Sequence, residues 1–193
     1  MKKTLFLLTL LIGWSNHSNA QYYYNKFICN DCYTNIEVGA IAPMFSGLQN
    51  ARSDVGYSVS VGSYLELTDR VFIKFGPSFS QFKIDFNSSK IEDLTIYTVV
   101  GNFGVHLREK KGYQFFSGVN LETNISKNFL SEGSTYHDVE FLTYSLYAGA
   151  GLIVSERIEV NARYNFALNN LNTNPALKWK RNYFAFSLGY TFL

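Results

Sequence analysis

Apolar side chains recur at every second position along most of this chain. The last stretch is the clearest: Phe184, Phe186, Leu188, Tyr190 and Phe192 share one parity, while Tyr183, Ala185, Ser187, Gly189 and Thr191 share the other. A period of two sends successive side chains to opposite faces of a β-strand, here one large and apolar, the other small and mostly polar. The same alternation predicts eight strands, near Thr34–Met44, Gly56–Leu67, Val71–Ile84, Leu94–Leu107, Tyr113–Ser126, Phe141–Val154, Ile158–Leu168 and Asn182–Leu193. In the seventh, for example, Ile158, Val160, Ala162, Tyr164 and Phe166 oppose Glu159, Asn161, Arg163 and Asn165. Two residues interrupt the pattern: Val100 sits on the polar face of the fourth strand, and Pro77 removes a ladder donor from the third.

Turn-forming residues separate the strands. Residues 45–55 (FSGLQNARSDV), 86–93 (FNSSKIED), 127–140 (KNFLSEGSTYHDVE) and 169–181 (NNLNTNPALKWKR) read as long polar loops. Thr68–Arg70, Arg108–Gly112 and Ser155–Arg157 read as short turns, the first closed by Asp69 bonding the backbone two residues on. Long and short connections alternate, which is the rhythm of an up-and-down antiparallel barrel with both termini on the side of the short turns. About ten residues per tilted strand suffice to cross the apolar layer, and closure leaves no unpaired backbone edge in lipid. The predicted class is therefore all-β, an eight-stranded antiparallel up-and-down transmembrane β-barrel occupying 34–193.

Composition adds a location. Lys2 and Lys3, the apolar run Leu5–Ile12 and the small residues Ser18-Asn19-Ala20 form a secretory signal peptide over 1–20, cleaved before Gln21. Residues 21–33 follow as a periplasmic lead-in. Aromatic content is 17% while mean hydropathy is near zero, as expected where only alternate residues face lipid. Removing Lys2 and Lys3 from the 17 basic residues leaves a number equal to the 15 acidic ones. A nucleic-acid partner would want a basic excess, so none is expected.

The inward parity carries Glu37, Glu66, Lys74, Glu122, Glu159 and Arg163, with Gly39, Gly62, Gly76, Gly104, Gly118, Gly149, Gly151 and Gly189 leaving room for them. Eight strands enclose a space that side chains can just fill, and buried charges must be paired. A salt-bridged polar plug is expected ahead of a narrow porin-like channel for small solutes. Cys29 and Cys32 are the chain's only cysteines; they form either a local structural disulfide or two thiols, since redox and metal chemistry both need partners that the sequence lacks. No metal or cofactor is expected. A second alternative is a rim-sited hydrolase built on His137-Asp138, with Glu132 and Glu140 nearby. Adjacent residues on an extended chain point apart, which weighs against it. His106 is expected inside, near the periplasmic mouth, in a polar network. A lipocalin-type soluble barrel needs an apolar cavity, which the Ser/Asn/Glu/Lys/Arg face does not supply.

The hairpin Val55–Ser80 (VGYSVSVGSYLELTDRVFIKFGPSFS), the later stretch Ala148–Asn172 (AGAGLIVSERIEVNARYNFALNNLN) and the closing Leu188-Gly-Tyr-Thr-Phe192 together resemble the PorT-like outer-membrane β-barrel family of Bacteroidetes. That resemblance implies an eight-stranded barrel in the bacterial outer membrane; most of the family has no assigned activity. The expected role is non-enzymatic, surface interaction or structural support in the envelope. The expected partners are outer-membrane lipid, an envelope or extracellular partner without a name, and the barrel-assembly machinery, which would recognise Phe184, Phe186, Leu188, Tyr190 and Phe192 as the assembly signal.

Overall fold

The computed structural model describes residues 32–47, 51–86, 94–127, 139–171 and 178–192. The expected signal peptide over 1–20, most of the expected lead-in with Cys29, the loop residues Glu132, His137 and Asp138, and Leu193 lie outside them. The described residues form eight strands: β1 (Cys32–Ser46), β2 (Ala51–Thr68), β3 (Val71–Phe86), β4 (Leu94–Arg108), β5 (Tyr113–Lys127), β6 (Leu142–Ile153), β7 (Ile158–Ala167) and β8 (Lys180–Phe192). Every neighbour is antiparallel, and the sheet closes on itself through β1 and β8, from Thr34 opposite Phe192 to Ser46 opposite Lys180.

The predicted parity holds around the ring. Val38, Phe75, Phe103, Val119, Leu146, Val160, Phe186 and Leu188 are among the large apolar residues exposed on the outside. Apolar surface of this extent exceeds what water-soluble monomers expose. Aromatic contacts run along it: Tyr57 meets Phe79, Phe79 stacks on Tyr97 at 5.9 Å, Tyr164 packs on Phe184, and Tyr190 on Phe192.

Three turns sit at the end of the barrel that holds the start of β1 and the end of β8. In the β4–β5 turn, Gly112 takes a φ of 85°, the left-handed region that glycine enters without strain. The β2–β3 turn is closed differently from the expectation. The Thr68 hydroxyl, not Asp69, accepts from the backbone N–H of Arg70 and Val71; Ser155 does the same for Arg157 and Ile158 in the β6–β7 turn. A hydroxyl at the first turn position bonds those amides as an Asp side chain does, though more weakly.

The first long loop is shorter than the sequence suggested. β1 and β2 continue to Ser46 and from Ala51, leaving only 47–50 between them. The polar residues Arg52 and Asp54 are strand residues, paired with Asp85 and Lys83 of β3. Opposite charges across antiparallel neighbours suit a ladder standing in water, so the β2–β3 hairpin, 18 and 16 residues long, extends past the apolar belt. The β2–β3 register shifts between Asp54 and Tyr57 and again between Glu66 and Thr68. Pro77 lies away from both shifts. Toward β2 it sits where the paired positions pass from Ser60–Ser78 straight to Ser63–Phe75, while toward β4 it stays in register opposite Gly101.

Candidate functional site

The lumen is filled in three layers. At the turn end, Glu159 is 2% exposed and central. One of its carboxylate oxygens accepts from Asn35 Nδ2 at 3.2 Å, Tyr64 Oη at 3.2 Å and Asn161 Nδ2 at 3.1 Å. The other accepts from Arg108 Nη2 at 3.3 Å and Gln114 Nε2 at 3.2 Å. Arg108 also lies over the rings of Tyr33, Tyr64 and Phe72, at 5.1, 4.6 and 4.8 Å, and Tyr33 stacks on Tyr64 at 4.8 Å. A guanidinium packed among aromatic faces and held by a carboxylate closes this mouth.

β8 explains why two acids coexist here. Gly189 stands opposite Glu159 on β7 and opposite Glu37 on β1. A Cβ at 189 would meet Glu159 Cγ at 2.7 Å and Asn35 Nδ2 at 2.9 Å, so the absent side chain is the space these groups occupy. Glu37 forms an ion pair with Lys74 and accepts from Ser60 Oγ and Asn161 Nδ2, both at 3.3 Å. Lys74 lies over Gly62, and the phenol of Tyr147 lies over Gly104 and Gly118. Gly62, Gly104, Gly118 and Gly189 are thus notches for long side chains, whereas Gly39 and Gly76 lie against the backbone of the neighbouring strand.

The second layer surrounds Glu122, 3% exposed. Arg181 Nη2 donates to it at 2.5 Å, with Ser145 Oγ at 2.6 Å and Thr143 Oγ1 at 3.2 Å. Arg181 also donates to Thr98 Oγ1 and Asn124 Oδ1, both at 3.1 Å, and its guanidinium lies 4.1 Å from the Phe82 ring centre.

The third layer, at the loop end, is apolar and departs from the wholly polar lumen expected. Ile41, Phe82, Ile84, Leu94, Ile96, Leu171, Trp179, Tyr183 and Ala185 form one buried cluster. The β7–β8 connection supplies Leu171 and Trp179, joined by a backbone bond of 2.8 Å. Inward positions this far along the longer strands meet neither lipid nor open water, so packing against the returning connection is how they are buried.

Of the predicted network residues, Glu37, Lys74, Glu122 and Glu159 are brought into ion pairs. Glu66 and Arg163 point the predicted way but form no ion pair among the described residues; Arg163 instead lies 5.6 Å from the Tyr147 ring. By sequence pattern the cationic partners Arg108 and Arg181 fall in a turn and a loop. Both continue the inward parity of their strands, Arg108 after Gly104 and His106, Arg181 before Tyr183 and Ala185; extending the phase by one step finds them. His106 is inside, as expected, 2% exposed and between Tyr64 and Phe116. Its ring lies beside the Gln114 side chain, with which it hydrogen-bonds. Glu140, from the hydrolase alternative, serves through its backbone, its carbonyl accepting from Asn124. Cys32 opens β1, ahead of the expected strand start at Thr34.

No protein-family model matches the chain, and no curated protein matches it. Solved structures do. Neisserial surface protein A superposes with a TM-score of 0.53 at 16% identity, covering 83% of this chain and 95% of that one. Ail, the attachment invasion locus protein of Yersinia pestis, gives 0.51 at 13% identity, covering 83% and 98%. Ail in complex with the heparin analogue sucrose octasulfate gives 0.53 at 13% identity, covering 83% and 99%. At these identities the likeness is one of fold.

Proposed function

We propose that this chain is a bacterial outer-membrane barrel that acts at its loop end, as a surface-interaction or structural protein of the envelope, and that neither conducts solute nor catalyses a reaction. The observation that carries this is the filled lumen. Three buried acids are each held by a cation, and an apolar layer lies beyond them. Among the described residues such an interior leaves no open passage for solute, and its three buried acids are committed to ion pairs. The apolar belt supports a lipid surround. The names of the superposed proteins, a surface protein and an attachment protein, agree with work done outside the barrel. Membership of the PorT-like family rests on the hairpin and closing-strand motifs. Recognition by the assembly machinery would rest on Phe184, Phe186, Leu188, Tyr190 and Phe192, all exposed on the outer face of the closing strand.

Orientation is testable with single cysteines, made in a background where Cys29 and Cys32 are serine. Lys178, at the loop end, and Lys110, in the β4–β5 turn, are both exposed. On intact cells an impermeant maleimide is expected to label Lys178→Cys and to spare Lys110→Cys until the outer membrane is permeabilised. Labelling of Lys110→Cys alone would invert the barrel and refute a role for the loop end outside the cell.

A further inference from the structure

We propose that the loop end of β8 binds the anionic headgroup of a lipid in the surrounding leaflet, through Lys178 and Lys180. The inference rests on the proposed reading of an outer-membrane barrel with its loop end outside, and gives that end a partner. Trp179 is buried in the apolar layer of the lumen, so its neighbours Lys178 and Lys180 fall on the outer parity, Lys178 exposed and Lys180 half-buried. Two outward steps along from Lys180, Phe184 begins the apolar part of β8. On β7 and just past its end the belt reaches further, to Phe166 and Leu168, both exposed. The Lys180 ammonium lies 5.9 Å from the Phe166 ring centre. It thus stands at the edge of the apolar belt, the depth at which a long basic side chain meets lipid headgroups.

No acid answers these two charges among the described residues. Lys180 stands opposite Ser46 of β1, and the Lys178 carbonyl lies beside Gly47. Residues 45–50 and 169–181, the two stretches that meet here, contain three cations and no carboxylate. Of those cations, Arg181 is committed inward to Glu122. Glu140, in the neighbouring connection, bonds Leu171 through its backbone N–H, and neither lysine forms an ion pair among the described residues. Lys83, an exposed lysine of β3, differs: it stands opposite Asp54 of β2, so its charge is matched within the sheet. Below Lys180 the surface suits an acyl chain. Phe184 and Phe186 stand beside Ala42 and Ala40 of β1, and both alanines are exposed, so small side chains run down the belt beside an aromatic ridge. A soluble anion would engage the lysines alone; a lipid engages the lysines and this lane together.

Native mass spectrometry of the folded barrel tests this, in detergent carrying equal amounts of dioleoyl phosphatidylglycerol and dioleoyl phosphatidylcholine. The acyl chains are the same, so the comparison isolates headgroup charge. Wild type is expected to retain phosphatidylglycerol with a preference of about thirtyfold, from the attraction of two lysines at a membrane surface. The double variant Lys178→Gln/Lys180→Gln, shown to be folded by its heat-modifiable gel mobility, is expected to lose that preference. Lys178→Arg/Lys180→Arg and Lys83→Gln are expected to keep it, and excess inorganic phosphate to leave the lipid adduct in place. Equal retention of the two lipids by wild type, an equal loss in Lys83→Gln, or displacement by inorganic phosphate would overturn the site. The maleimide labelling is independent of these outcomes. Labelling as expected with no lipid preference defeats this inference alone; inverted labelling with the preference intact defeats the orientation and upholds the lipid site.

Discussion

Glu122→Ala will lower the unfolding free energy of the barrel by about 3–5 kcal/mol, the cost of stranding a buried charge. The mechanism is the state of Arg181 after the change. At 3% exposed it has no access to water, and what neutralises it is the carboxylate 2.5 Å from Nη2. Thr98, Asn124 and the Phe82 ring remain as neighbours, but none carries a negative charge. Ser145 and Thr143 also lose their acceptor. Replacing both members of the pair with methionine should cost much less than either single change, because no orphaned charge remains. Glu66→Ala is the control: it shares the inward parity but has no ion pair among the described residues, and should stay within about 0.5 kcal/mol of wild type. Urea unfolding of vesicle-refolded protein measures all four. A Glu66 effect as large as that of Glu122 would mean the charge pairing has been misassigned.

Phe186→Arg is expected to cost about 2–4 kcal/mol, the range for a cation on the lipid face at mid-bilayer. Phe186 lies mid-way along β8, 57% exposed, and is flanked by Ala40 of β1 and Ala162 of β7. These small neighbours offer no carboxylate to pair with an arginine. Val55→Arg, at the β2 bulge and 73% exposed, should cost about 0–1 kcal/mol, the range for an interfacial position. Comparable losses at both positions, in vesicles, would contradict a lipid belt centred on Phe186.

The parity of the strands was legible because each face has a single environment, lipid or lumen, and a slip by one residue would exchange them. That constraint located Glu37, Lys74, Glu122 and Glu159 without coordinates. It could not say which acid meets which base, since pairing runs across the barrel between residues as distant in sequence as Arg181 and Glu122. Strand ends were harder. Lys180 and Arg181 look like loop residues by composition, and so do Arg52 and Asp54, because strand that stands beyond the bilayer is as polar as a loop. The apolar layer escaped for the opposite reason. Phe82, Ile84, Leu94 and Ile96 keep the inward parity but not the inward polarity, and the residues that cover them, Leu171 and Trp179, come from a connection whose path alternation does not describe.

The sealed interior is the central claim, and planar-bilayer recording tests it most directly. Purified wild-type protein, inserted as heat-modifiable folded barrel, is expected to leave the bilayer electrically silent across the range of applied voltage. Stable, reproducible single-channel steps from the same material would contradict a lumen closed by Glu159, Arg181 and Trp179, and would favour a narrow conduit.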